Sequence, residues 1–399
     1  MKKIYFITIL MIALTVQINA QTWTTVTTPS TSGVNHMLVA NNKLYLATLG
    51  GVFSSTDGIS WDSSSTGMTT IAMGYYYVEN IYNYNNVLYS ATGGSKLYKS
   101  VDYGANWTEI PGVKEPFTSP TFTTVFVKGD TMIVGLNKSL GFRKSYDGGT
   151  TWTRTAISEV IDKNIIELNG AIFVKTQKGI FKSTDMATSF TQLTGGLPTY
   201  SGSIGALTES NGVLICTIYM LGSTYISSDY GVTWTQTPTA IAAGRGLHAE
   251  GGNVYLGCAG QVYSSSNDGT TWTDITGTGI GPLEQITNFA VFQGDLYAGT
   301  GTALYKTPIS TSINEIQAKS SYSVYPNPAN EQLSISFDLK NSEVNSISLT
   351  DLNGRIVMHE IIQANQQQIT VSVSDLENGI YLLYTDNGML ASRKIVVNH

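Results

Sequence analysis

Charge is what this chain has least of. Asp, Glu, Lys and Arg make up 13% of its 399 residues, about half the share usual in soluble domains. The formal net charge is −6, which leaves no basic footprint for nucleic acid and excludes that class of partner. The four histidines include the terminal His399 and show no metal-ligand spacing. Neither a G-x-S-x-G elbow nor a phosphate-cradling glycine loop occurs, so no metal and no cofactor is expected. Two cysteines, Cys216 and Cys258, are too few for a disulfide framework. Long apolar runs are also missing: beyond the first twenty residues no segment could span a bilayer, so no transmembrane segment is expected. Those first residues carry Lys2 and Lys3, the run "IYFITILMIALTVQI" and "INA" before Gln21. A charged start, an apolar centre and a small-residue cut mark residues 1–20 as a signal peptide, with Gln21 where a lipid anchor would need Cys.

Plentiful residues point to a fold class. Forty Gly and 23 Tyr, with many Thr, Ser and Asn, are the material of short strands and tight turns, so the chain is expected to be all-β.

An octet recurs. "SVDYGANW" holds Asp102 and ends at Trp107, "SYDGGTTW" holds Asp147 and ends at Trp152, and "STDMATSF" holds Asp185 and ends at Phe190. "SSDYGVTW" comes next with Asp229 and Trp234, then "SSNDGTTW" with Asn267 and Trp272. A shorter copy, "STDGISW", holds Asp57 and ends at Trp61. Successive endings lie 38 to 46 residues apart, in or near the length of one four-stranded propeller blade. Five of the six tryptophans close an octet. The sixth, Trp23, opens "WTTV", similar to the "WTEI", "WTRT", "WTQT" and "WTDI" that begin at four of the others.

The octet reads as a turn with a packing anchor. Its Asp or Asn is expected to accept from backbone N–H groups two residues on, its Gly to take positive φ, and its Trp to begin the next strand. "STDMATSF", without Gly or Trp, is expected to form a looser turn. The motif resembles the Asp-box, or bacterial neuraminidase repeat, of β-propellers. Upstream of each octet two strands recur around an Asn/Gly turn, as in "MLVANNKLYLAT" and "ALTESNGVLICT". A seventh copy, "FAVFQGDLYAGTGTALYKT", has no octet after it, so "WTTV" is expected to supply its fourth strand. The expectation is a seven-bladed β-propeller over residues 21–308, closed between its two ends. Counting from Val213 and Val254, Cys216 falls fourth and Cys258 fifth, which turns them to opposite sides of neighbouring sheets and weighs against a disulfide.

Residues 309–321 read as a polar linker, and 322–399 as a small β-sandwich, Ig-like, of strands split by Gly, Asn and Pro turns. This last part resembles the C-terminal sorting domain of type IX secretion cargo in Gram-negative bacteria. The resemblance rests on Tyr325, Pro326, Asn327 and Pro328, on Asp351 to Gly354, on Gly379, Ile380 and Tyr381, and on the terminal strand from Lys394 to Val397. It implies the type IX machinery as a partner, export to the outside or to the outer-membrane surface, and removal of this domain with release or attachment to surface lipopolysaccharide.

In propellers built from such boxes, ligands meet the face opposite the box turns. Aligning the innermost strands gives one mouth residue per blade: Asn35, Glu79, Thr123, Lys163, Gly205, Arg245 and Thr287, with His36, Asn80, Asn164 and Asn288 next. The position after these is apolar throughout and reads as packing. The polar ring is a solvated channel mouth or a binding site, with Asn35, His36, Glu79, Lys163 and Arg245 as the ligand-binding candidates. Tyr75, Tyr76, Tyr77, Phe117, Tyr200 and Tyr219 are aromatics of that face, able to stack on sugars or to pack loops. A sialidase needs three arginines on the substrate carboxylate, whereas of Arg143, Arg154 and Arg245 only the last reaches the mouth. A carboxylate-pair glycosidase stays open, with Glu79 and Asp162 as catalytic candidates and Glu115, Glu159 and Glu284 on the same face. Two readings stand: a monomeric, noncatalytic propeller binding glycan or protein, and a secreted glycoside hydrolase.

Overall fold

A computed structural model describes residues 21–309 except 31, 72–73, 112–120, 138–140, 156, 158–160, 177, 199–203, 220, 239–240 and 242–243. It also describes 322–399 except 338–345, 352–355, 363–367 and 386–392. Only the backbone is described at 161–164, 322, 337 and 384–385. The chain divides into two units, Met1–Ile309 and Ser310–His399.

The Asn/Gly pairs act as expected. A two-residue hairpin turn that matches strand twist needs φ above zero at both central residues, which Asn and Gly tolerate best. Asn41 and Asn42 have φ of 48° and 55°, Asn85 and Asn86 have 49° and 63°, and Asn211 and Gly212 have 47° and 84°. Each such turn joins the first two strands of a sheet, as between Val34–Ala40 and Lys43–Thr48.

The first unit contains seven four-stranded antiparallel sheets among the described residues. The first comprises Val34–Ala40, Lys43–Thr48, Gly51–Ser55 and Asp62–Ser63. Five more come after it in chain order, with first strands Val78–Tyr84, Phe122–Lys128, Ile161–Leu168, Ile204–Ser210 and Gly246–Glu250. The seventh takes Ile286–Phe292, Asp295–Thr300 and Leu304–Pro308, and its fourth strand is Thr24–Val26. There Thr24 pairs with Lys306 and Val26 with Leu304. First strands touch in chain order, and that of the seventh sheet touches that of the first, so the series closes on itself.

Burial between neighbouring sheets supplies the cohesion. The apolar layer below the polar ring is buried at Met37, Ile81, Val125, Leu207, Leu247 and Phe289, each contributing about 1.5–3 kcal/mol of transfer free energy. Every octet aromatic packs on the sheet before its own. Trp107 sits with Tyr45 and Val52 of the first sheet, and Trp234 with Phe173 and Ile180 of the fourth. Phe190 stacks on Phe142 at 5.5 Å between ring centroids. Trp23, preceding the strand that completes the seventh sheet, packs against Tyr255 and Val262 of the sixth.

Octet hydrogen bonding differs from expectation in two respects. In the full-length copies the Asp accepts from the backbone four residues on, not two: Asn106 N–H to Asp102 at 2.9 Å, Thr151 N–H to Asp147 at 2.8 Å. Only the shorter first copy keeps the two-residue bond, Ile59 N–H to Asp57. The extra residue lets the carboxylate span the loop and also take the side chain four on, as Thr151 Oγ1 donates to Asp147 at 2.6 Å. Secondly, "STDMATSF" is not loose. Ser189 N–H donates to Asp185, Ala187 N–H donates to Ser183 Oγ, and Ala187 itself adopts φ 64°. Asn267 replaces Asp without loss, taking the Thr271 N–H at 2.9 Å. The leading Ser was not singled out from sequence, yet it anchors every copy, as when Ser145 Oγ donates to Asp147 and accepts from Gly149 N–H.

These bonds hold the exposed carboxylates ionised. The Asn106 amide and backbone keep Asp102 at about 2, and Thr151 and Thr233 do the same for Asp147 and Asp229. Asp57, through the Ser60 and Ile59 N–H groups, and Asp185, through Ser189, are lowered further.

Cys216 and Cys258 are buried and not joined in a disulfide. Cys216 packs with Ala171 and Phe173 of the fourth sheet, Cys258 with Ala206 and Ile215 of the fifth, so they occupy different interfaces. Burial pushes the Cys258 thiol up to about 12 and that of Cys216 up as well.

In the second unit a three-stranded and a four-stranded sheet share one core, with Leu333 and Ile335 from one and Leu349, Leu383 and Ile395 from the other. The "YPNP" segment precedes the first buried residues of this core and is bound to the end of the chain. Asn327 Nδ2 donates to Lys394 O at 2.9 Å, and Val396 N–H donates to Asn327 Oδ1 at 2.8 Å. The peptides before Pro326 and Pro328 are cis. Gly379 pairs with Val397, and the Tyr381 hydroxyl donates to Glu377 O. Gly354 lies outside the described residues.

Candidate functional site

The mouth positions named from sequence coincide with a backbone irregularity. Pairing of the first and second strands shifts register between Val34 and His36, between Val78 and Asn80, and between Phe122 and Thr124. The same shift falls between Ile161 and Ile165, between Ile204 and Leu207, and between Ile286 and Asn288. Asn35, Glu79, Thr123, Gly205 and Thr287 are thus bulge residues, left out of the ladder and free to aim differently from their neighbours. Arg245 stands just before the bulge-free strand Gly246–Glu250, its N–H donating to Gly257 O at 3.0 Å.

A cavity of about 520 Å³ opens at these strand ends. It lies between the first strands of the fifth, sixth, seventh and first sheets, with Lys175 reaching in from the second strand of the fourth. Four basic side chains line it: His36, Lys175, Arg245 and His248. None of its described lining residues is Asp or Glu. Lys175 Nζ donates to Gly205 O at 2.6 Å, and the Arg245 guanidinium lies 4.5 Å from the centroid of the Tyr219 ring. His248 pairs with Glu250, 3.1 Å away and outside the lining.

Part of the polar ring fastens sheets together. Asn35 Nδ2 donates to Val78 O of the next sheet at 2.8 Å, and Asn288 Nδ2 donates to Val34 O at 3.0 Å. Glu79 is not among the cavity residues; it is buried beside Tyr77, whose phenol is raised first by the Glu79 charge and which hydrogen-bonds that carboxylate. Glu284 accepts from Thr302 Oγ1 at 2.8 Å. The side chains of Asp162 and Lys163, and all of Glu115, Glu159, Phe117 and Tyr200, lie outside the described residues. Of the aromatics, Tyr219 lines the cavity, Tyr75 is exposed, and Tyr76 packs against the core between the first two sheets. Arg143 and Arg154 face each other across the third and fourth strands of the third sheet, away from the cavity residues. Lys175 and His248 were missed from sequence: both stand inside strands, where alternation alone does not separate a channel wall from an inter-sheet face. Among the described residues no group of His, Cys, Asp and Glu is placed to hold a metal, and no helix is long and apolar enough to cross a membrane.

Seven four-stranded sheets in a closed series among the described residues define the class of the first unit, a β-propeller. Residues 323–398 match the secretion system C-terminal sorting domain, and residues 9–77 match the DUF6242 β-propeller domain. A xyloglucanase of Hypocrea jecorina is 26% identical over 211 residues, covering 48% of this chain and 24% of that enzyme. The chain thus spans about a quarter of the length of that relative. Among solved structures, YCF48 from Cyanidioschyzon merolae aligns with TM-score 0.56 at 14% identity, covering 72% of this chain and 99% of that one. The GH74 enzyme of Niastella koreensis aligns with TM-score 0.54 at 18% identity, over 70% of this chain and 44% of that one. The sorting domain marks the chain for export.

Proposed function

We propose that this chain is a secreted seven-bladed Asp-box propeller that binds a glycan or protein ligand without catalysis. In this reading residues 1–20 are a signal peptide, the Ig-like C-terminal domain engages the type IX machinery, and the monomer acts outside a Gram-negative cell or on its outer membrane. One observation carries the noncatalytic part: the cavity presents amides, hydroxyls and cations, while two carboxylates assigned to that face are engaged elsewhere. Glu79 is bound by Tyr77 and Glu284 by Thr302. A hydrolytic pair needs two carboxyls about 5 to 9 Å apart at one bond.

The xyloglucanase similarity supports a second reading, a glycoside hydrolase acting on polysaccharide. Asp162 and Glu79 are its catalytic candidates. The deciding experiment combines a glycan array with an assay of reducing-end release from plant and bacterial polysaccharides. Binding without release supports the proposal; release abolished by Asp162→Asn or Glu79→Gln overturns it.

A further inference from the structure

Resting on the binding reading, we infer that the cavity recognises a carboxylate-bearing saccharide, of which a hexuronate unit is the simplest, with Arg245 as the carboxylate partner. The chain as a whole carries −6, yet Arg245 lies in a cavity whose described lining includes Lys175 and no acidic residue. A guanidinium in a concave, partly desolvated space draws an anion toward it.

Arg245 is built for that anion. Its guanidinium is held by the face of Tyr219 and makes no hydrogen bond or ion pair with any described residue. The contact with the ring restrains the group while its N–H donors have no partner among the described residues, and a guanidinium with unused donors can take a carboxylate through two parallel bonds. Lys175 is steadied by its bond to Gly205 O and brings a second charge to the same wall.

The remaining wall selects the body of the ligand. The apolar lining side chains Met37, Leu207, Leu247 and Phe289 are each at most 6% exposed, so they offer little surface to an apolar peptide side chain. The hydroxyl-bearing residues Thr208, Thr287 and Tyr219 are part of the lining. A polyhydroxylated ring carrying a carboxylate satisfies both features, and a cavity of about 520 Å³ lies within the range of small-ligand sites.

Calorimetric titration of the exported chain with trigalacturonate, its methyl ester and a peptide with a free C-terminal carboxylate tests this. The acid is expected to bind at least tenfold more tightly than the neutral ester, and less tightly as salt rises. Arg245→Gln is expected to weaken the acid about 10- to 100-fold, while Arg154→Gln, a surface cation on a fourth strand, leaves it unchanged. Equal binding of acid and ester, indifference to Arg245→Gln, binding of the peptide alone, or no binding of any probe overturns the inference. Release of reducing ends during titration instead overturns the noncatalytic reading, and the acid-to-ester ratio then still decides the carboxylate question.

Discussion

Tyr297, on the second strand of the seventh sheet, fills the space above Gly58 in the first octet: a Cβ on Gly58 would lie 1.9 Å from the Tyr297 hydroxyl oxygen. Gly58 also has φ of +69°, so the glycine is required twice over. Gly148, at φ +68°, has nothing within 4 Å and separates the two demands. Gly148→Ala is expected to cost about 1 kcal/mol, the left-handed backbone penalty alone. Gly58→Ala should cost more, roughly 2–4 kcal/mol, because sheet seven must also yield. Urea unfolding midpoints of the two variants measure the difference, and equal losses would show that the octet does not brace its neighbour.

Ser145 is buried and serves both the Asp147 carboxylate and the Gly149 N–H. Ser145→Ala strands that N–H and is expected to lower stability by about 1–3 kcal/mol. Asp147→Asn should cost less than Ser145→Ala, since Asn267 already performs the same task. Chemical denaturation of both variants ranks them, and the reverse order contradicts the assignment of Ser as anchor.

Acid should loosen the octets together. Asp102, Asp147 and Asp229 are held at about 2 in the folded chain, against ~3.9 when unfolded. A depressed folded value means that the unfolded chain takes up protons first, so the stabilisation is full above about pH 4 and is lost as pH falls toward 2. Melting temperature is expected to fall across that window. Replacing the five octet aspartates with Asn should flatten this limb without abolishing the fold; an unaltered acid limb would rule out the octets as its source.

Removing Thr22 to Thr28 deletes Trp23 and the strand that pairs with Leu304–Pro308. That strand becomes an open edge and the core around Tyr255 and Phe289 loses its indole. The milder Trp23→Ala is expected to cost about 3–5 kcal/mol. Calorimetry should show the first unit melting lower as one transition; unchanged melting would mean that the ring does not depend on its N-terminal strand.

Much of this architecture was readable because it is repeated. Six tryptophans at one repeat position, and Asn or Gly pairs where two positive φ angles are needed, leave few alternatives, and "WTTV" could be placed by the strand missing after Pro308. What escaped reading is what depends on three dimensions. Ser145 and its equivalents are ordinary residues in a Ser-rich chain, and only the folded turn shows their double bonding. The bulges at Asn35, Glu79 and Thr287 have no residue signature. Arg245 was found by register, but Lys175 enters the cavity from a second strand, outside the positions that the alignment compared.

The union of Thr24 with Lys306 joins positions 282 residues apart. Six sheets can zip up from near neighbours in the chain, whereas the seventh must bring its two ends across that distance and meet the largest loop-closure cost in the unit. The N-terminal strand therefore works as a latch: until it engages, Leu304–Pro308 keeps an unpaired edge and the seventh sheet lacks its fourth strand.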